Sequence, residues 1–186
     1  MSEQLLQQLM NGLLIGFLYS LIAIGLTMIW GVMNIINFAH GDFLMLSMFV
    51  SFWLYTLYGL DPLFSIPICT GLLFLLGLLI YKYLVSKVMT GPALAQLVVT
   101  FGVSIFIANA AVLLWTPDFK MIEKPLLAGT WNFGTIQLSI PKAVASAGSV
   151  LVSLALFLFL RKSKTGKAIL ATEMNRSSAL LMGVNT

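Results

Sequence analysis

Leu72-Leu73-Phe74-Leu75-Leu76-Gly77-Leu78-Leu79-Ile80 is apolar on every side, and that continuity decides the fold class. A strand crossing a membrane in a barrel alternates apolar and polar residues, whereas this stretch has no such alternation. It reads as the middle of a membrane-spanning helix, whose backbone groups are all satisfied within the segment. Working outward, comparable runs recur between short polar breaks, each near the about 20 residues needed to cross a hydrocarbon layer about 30 Å thick. Spans fall at roughly 9–30, 43–60, 63–81, 94–115 and 143–160. Pro62, Pro92 and Pro141 each stand near the start of a span, where a missing N–H has no helical partner to lose. The expectation is an all-α integral membrane protein of about five transmembrane helices, with 1–186 as one membrane domain.

Composition agrees. Of 186 residues, 60% are hydrophobic and 9% charged, too few to cover a water-soluble surface. The formal charge of +4 does not point to nucleic acid, because the basic residues sit at the ends of apolar runs instead of forming a patch. Lipid is the partner that the composition implies. Cys69 is the only cysteine, so no disulfide closes within the chain and no cysteine-based metal site exists. The single histidine with one nearby aspartate supplies too few ligands for a metal. Met1-Ser2-Glu3-Gln4 carries no Lys or Arg before the first apolar run, which argues against a removable signal peptide.

Orientation follows from the basic residues. Lys82, Lys87, Arg161, Lys162, Lys164, Lys167 and Arg176 fall on one side, against Lys120, Lys124 and Lys142 on the other, where Asp118 and Glu123 share the loop. The positive-inside rule places 82–93 and 161–186 in the cytoplasm, and the N-terminus and the 116–141 loop outside.

Polar residues within so apolar a chain are the candidates for function. Between the first two spans, Asn34, Asn37, His40 and Asp42 gather two amides, the only histidine and a carboxylate. Polar groups at membrane depth are costly, so such a cluster marks a path or gate by default. The competing reading makes Asp42 the N-cap of the second span and lets Asn34 and Asn37 end the first. In the fourth span, Thr100 and Ser104 share a helix face with Gln96 and Ala108, a polar and small stripe that suits either a path or local hydroxyl-to-carbonyl bonds. Gly12, Gly16, Ser20, Ala23 and Thr27 line one face of the first span and read as a packing ridge. Residues 165–186 are too polar to insert. They suit a short helix from about Gly166 to Leu181, stopped by Gly183, with Ala168, Ala171, Asn175, Ala179 and Met182 near one face. In the outer loop, Trp115, Trp131 and Phe133 are interface aromatics, and the alternation Thr135-Ile136-Gln137-Leu138-Ser139-Ile140 suits either a short strand or a segment lying along the interface.

The run Gly25-Leu26-Thr27-Met28-Ile29-Trp30-Gly31-Val32-Met33-Asn34-Ile35-Ile36-Asn37-Phe38-Ala39-His40-Gly41-Asp42-Phe43-Leu44-Met45-Leu46 resembles the signature segment of the branched-chain amino acid ABC transporter permeases, a family that also includes urea and short-chain amide permeases. Leu97 through Ser104 resembles the family's Thr-x-Gly-x-Ser helix. Thr165 through Ala168, Asn175, Ala179, Gly183 and Asn185 resemble its cytoplasmic coupling loop. The resemblance implies an inner-membrane permease subunit with no catalytic residues and no cofactor of its own. ATP would be hydrolysed on separate ATP-binding subunits, with a second permease subunit and a periplasmic solute-binding protein as further partners. Asn34, Asn37, His40, Asp42, Thr100 and Ser104 would then line or gate the path, and Gly166, Ala168, Asn175, Ala179 and Gly183 would form the ATPase-coupling loop. Family members continue through further spans, so the chain reads as an N-terminal portion. It has no Walker-type Gly-rich loop and is therefore not the ATPase. Rival readings are a urea or amide permease, a membrane-embedded hydrolase using His40 and Asp42, and a structural membrane subunit.

Overall fold

The computed structural model describes residues 2–89, 91–122, 125–133 and 136–183. Glu123, Lys124, Thr135, Asn185 and Thr186, used in the sequence reading, lie outside the described residues. Among the described residues five helices are long and apolar enough to cross a membrane, and the chain is an all-α integral membrane protein. They are α1 (Ser2–Met33), α2 (His40–Tyr58), α3 (Pro62–Ile80), α5 (Ala93–Trp115) and α6 (Ile140–Lys162). α3 runs on through a π-helical turn, Tyr81–Val85, into the short α4 (Ser86–Val88). Two short strands, β1 (Thr130–Phe133) and β2 (Ile136–Ser139), precede α6, and α7 (Lys164–Met174) and α8 (Arg176–Leu181) follow it.

Local chemistry sets most helix ends. The Asp61 side chain accepts from Leu63 N at 3.0 Å, and Pro62 occupies the first turn of α3. Gly59, at φ +65°, closes α2 with its N–H on the Tyr55 carbonyl, and Leu60 N–H reaches Leu54. α1 starts seven residues before the apolar run does. Glu3, Gln4, Gln7 and Gln8 are good helix formers, so the helix extends past its membrane-crossing part.

The fold divides into two compact units: Met1–Asn34 with Leu127–Thr186, and Ile35–Leu126. In the first, α1 packs along α6. Ser146 and Ser149 of α6 are buried, and their hydroxyls donate to the carbonyls of Ala143 and Ser146 at 3.0 and 2.7 Å, so the polar groups are satisfied within the helix. The ridge expected on α1 does not make this contact. Gly12, Gly16, Ser20, Ala23 and Thr27 are all exposed, and nothing stands within 4 Å of a Cβ built at Gly12 or Gly16. Of these two helices, α6 is the one with buried small residues, Ser146 and Ser149. The strands form an antiparallel hairpin, Thr130 opposite Ser139 and Trp131 opposite Leu138. Gln7 docks it on α1: its Nε2 donates to the Gln137 carbonyl at 2.6 Å and its Oε1 accepts from Gln137 N at 2.8 Å.

In the second unit, α2 packs on α3 through a Ser51–Ser65 hydroxyl bond of 2.8 Å, with Ser65 and Cys69 buried. Its core joins Ala39, Val103 and Ile107, flanked by Phe43, Met45, Leu46 and Ile80. The rings of Phe49 and Trp115 stack at 4.9 Å.

Candidate functional site

The stretch between α1 and α2 is built by turns more than by side-chain pairs. Asn34 takes a left-handed conformation, φ +54°, and its N–H donates to the Trp30 carbonyl at 2.7 Å, which closes α1. Asn37 folds the next turn: its Oδ1 accepts from Ala39 N at 3.1 Å and its carbonyl accepts from His40 N at 3.3 Å. The Ala39 carbonyl then receives the N–H groups of Asp42 and Phe43, and α2 is under way. Asp42 is therefore not the N-cap of the second span. The helix begins at His40, three residues before the apolar run, and the turn-forming oxygen belongs to Asn37. Asp42 lies in the first turn, half-buried, where a negative charge meets the positive end of the helix dipole.

α5 holds this stretch from the side. Thr100, 3% exposed, donates to the Ile36 carbonyl at 3.0 Å while also lying 3.1 Å from the Leu97 carbonyl of its own helix. Ala39, 1% exposed, packs with Val103 and Ile107, and the Phe38 and Phe101 rings meet edge to face at 6.1 Å. The Thr100 hydroxyl thus bonds both its own helix and the neighbouring Ile36 segment. Ser104 and Ala108 are half-buried one and two turns along, and Gln96 donates to the Met89 carbonyl at 3.3 Å. The structure brings Asn37, His40, Asp42, Thr100 and Ser104 into the second unit, while Asn34 closes a helix of the first. Among the described residues no group of three or more His, Cys, Asp or Glu is placed to hold a metal.

The second candidate region follows α6. The Ser163 side chain accepts from Gly166 N at 2.8 Å and so caps α7. Gly166 is buried against the end of α6, where an added Cβ would lie 2.5 Å from Leu160 Cα and 2.7 Å from the Leu160 carbonyl. Both obstacles are backbone, so glycine is required by the close approach. The single helix expected from Gly166 to Leu181 is two helices. Asn175 breaks it with an extended backbone, φ −160° and ψ 105°, and its Oδ1 accepts from Ser178 N at 3.0 Å to start α8. Ala168 is half-buried and Ala179 is 4% exposed, whereas Met182, expected on the same face, is exposed because the break re-aims the second helix. Gly183 takes φ +82° just past α8, in the stop position read from the sequence.

Asp61 escaped the sequence reading. Besides capping α3 with one oxygen, it accepts from Leu126 N with the other at 2.5 Å, pinning the loop that follows α5. An Asp directly before a proline at a span boundary was the available signal.

The family model described as branched-chain amino acid transport system / permease component matches residues 8–186. Among curated proteins, the high-affinity branched-chain amino acid transport system permease protein BraD of Pseudomonas aeruginosa is 32% identical over 97% of this chain and 63% of its own length. The high-affinity branched-chain amino acid transport system permease protein LivH of Escherichia coli K12 is 33% identical over 100% of this chain and 65% of its own. A probable branched-chain amino acid transport permease protein of Methanocaldococcus jannaschii is 24% identical over 89% of this chain and 54% of its own. The chain thus spans less than two thirds of the length of these relatives. No solved structure matches it.

Proposed function

The chain belongs to the family of branched-chain amino acid transport permease components, and from that premise we propose that it is a permease subunit of an ATP-driven importer of branched-chain amino acids in a bacterial inner membrane. Its work is transport, with hydrolysis of ATP on separate subunits. A second permease subunit and a periplasmic solute-binding protein complete the assembly.

The observation that supports this reading best is the α7–α8 corner. It is a pair of short capped helices outside the spans, anchored to α6 by a glycine that no other residue could replace without moving backbone. A solvated tail has no need of two side-chain caps, a buried glycine and a buried Ala179. A rigid corner of this kind can receive a push from a soluble partner and pass it to the span on which it is built. The proposed path draws on Asn37, His40 and Asp42, whose stretch α5 contacts at Ile36 and Ala39, and they would offer amide, imidazole and carboxylate groups to the charged ends of an amino acid.

Uptake decides between solutes. In cells expressing this chain with its partner subunits, radiolabelled leucine, isoleucine and valine are expected to accumulate in an ATP-dependent way. Accumulation of urea or acetamide instead, with none of the three amino acids, would transfer the chain to the amide permeases. Ala179→Glu puts a charge where 4% of the residue is exposed, and should insert normally yet hydrolyse ATP without uptake.

A further inference from the structure

Gly31 lies in the last turn of α1, three residues before Asn34. A Cβ added there would lie 2.5 Å from Glu173 Oε1, 2.8 Å from Glu173 Cδ and 3.2 Å from Glu173 Cγ. The Glu173 side chain of α7 therefore rests on the bare surface of a glycine at the end of α1. The contact differs in kind from the other attachment of α7. At Gly166, α7 meets the backbone of Leu160 and has no room to give, while at Gly31 the touching atoms are the far end of a flexible side chain on an exposed residue. One attachment is a pivot and the other is a rest that lifts off at little cost.

We infer that α7 is hinged on α6 at Gly166 and latched on α1 by Glu173 over Gly31, and that the latch opens and closes during transport. This rests on the reading of residues 163–183 as the coupling loop. Movement of α7 about the hinge frees or fixes the last turn of α1, from which the chain leads through Asn34 directly into the Ile35–Asp42 stretch. Glu173 is a positioning residue acting through Gly31, not a group that touches the solute.

A reversible bridge tests the latch. The 3.2 Å between the Cβ position at 31 and Glu173 Cγ is close to the roughly 3 Å between a half-cystine Cβ and its partner's sulfur in a relaxed disulfide. The double variant Gly31→Cys, Glu173→Cys is made in a Cys69→Ser background and studied in the assembled transporter. Oxidation should bridge most molecules, read as protection from a maleimide-polyethylene glycol mass shift. Leucine uptake should then fall at least about fivefold while ATP hydrolysis persists, and return on reduction. Failure to bridge overturns the juxtaposition, and bridging with undiminished uptake overturns the opening step; neither outcome touches the transport reading. Absence of leucine uptake by the unsubstituted transporter refutes that reading and the latch with it, while bridging is read independently. Two single variants give a second measurement. Glu173→Ala empties the seat and should lower uptake per ATP hydrolysed, whereas Glu173→Gln keeps the shape and should restore the ratio. An unchanged ratio in Glu173→Ala would count against the latch.

Discussion

Thr100 spends one hydroxyl on two carbonyls, one of them 64 residues away in sequence. Thr100→Val keeps the shape and leaves the Ile36 carbonyl without its donor, so the second unit should lose about 1 kcal/mol, in line with side-chain bonds measured between membrane helices. Unfolding of the detergent-solubilised chain by SDS reads this directly, with Thr100→Ser near the parent. His40 and Asp42 call for a different measurement, uptake per correctly inserted transporter. Asp42→Asn removes the charge with little change of shape, and Asp42 is not a cap. His40→Gln keeps hydrogen bonding and removes the imidazole. On the proposed path role both should lower uptake several-fold; wild-type rates in both would leave the stretch structural. Residue types were legible here but roles were not. Asn37 and Asp42 are both good turn and cap formers, and which one folds the turn depends on a helix start that the apolar run does not mark.

Among elements, the spans were the most legible, because a run that is apolar on every face has no alternative to a membrane helix. Their polar extensions were not, since the glutamines before the first run are compatible with helix or coil, and only the docking of Gln7 on Gln137 shows why that turn is fixed. The coupling segment was read as one helix because Asn175 is tolerated within a helix at modest cost. Its side chain does better as the cap of a new one. At the start of this element, Gly166→Ala forces a methyl group into the backbone of α6, an overpacking that costs about 1–3 kcal/mol. α7 should swing free, so trypsin should cut after Lys162, Lys164 and Lys167 faster in inside-out vesicles, while the spans stay protected. Unchanged cleavage would mean that the glycine contact does not hold α7 in place.

For the whole molecule, the seven-to-three division of basic residues predicts one orientation. Single cysteines at Ser2 and Lys120 should react with an impermeant maleimide in intact cells, and those at Lys87 and Lys164 only after lysis, all in a Cys69→Ser background. Labelling at Lys87 from outside would invert the topology. Which helices pair was beyond the sequence. Small residues on α1 suggested a packing face, yet α1 meets α6 through other residues, because packing depends on what the partner offers as much as on the ridge itself. That pairing has a consequence in time. α1 is made before its partner helix and before the Gln137 that its Gln7 grips, 130 residues further along the chain. At about 5–20 residues per second, α1 waits roughly 5–20 s for them, while Ile35–Leu126 can close upon itself as soon as it is synthesised. α1 thus stays unsettled while the helices between it and α6 are made, and over that interval it is a segment for a chaperoning insertase to hold.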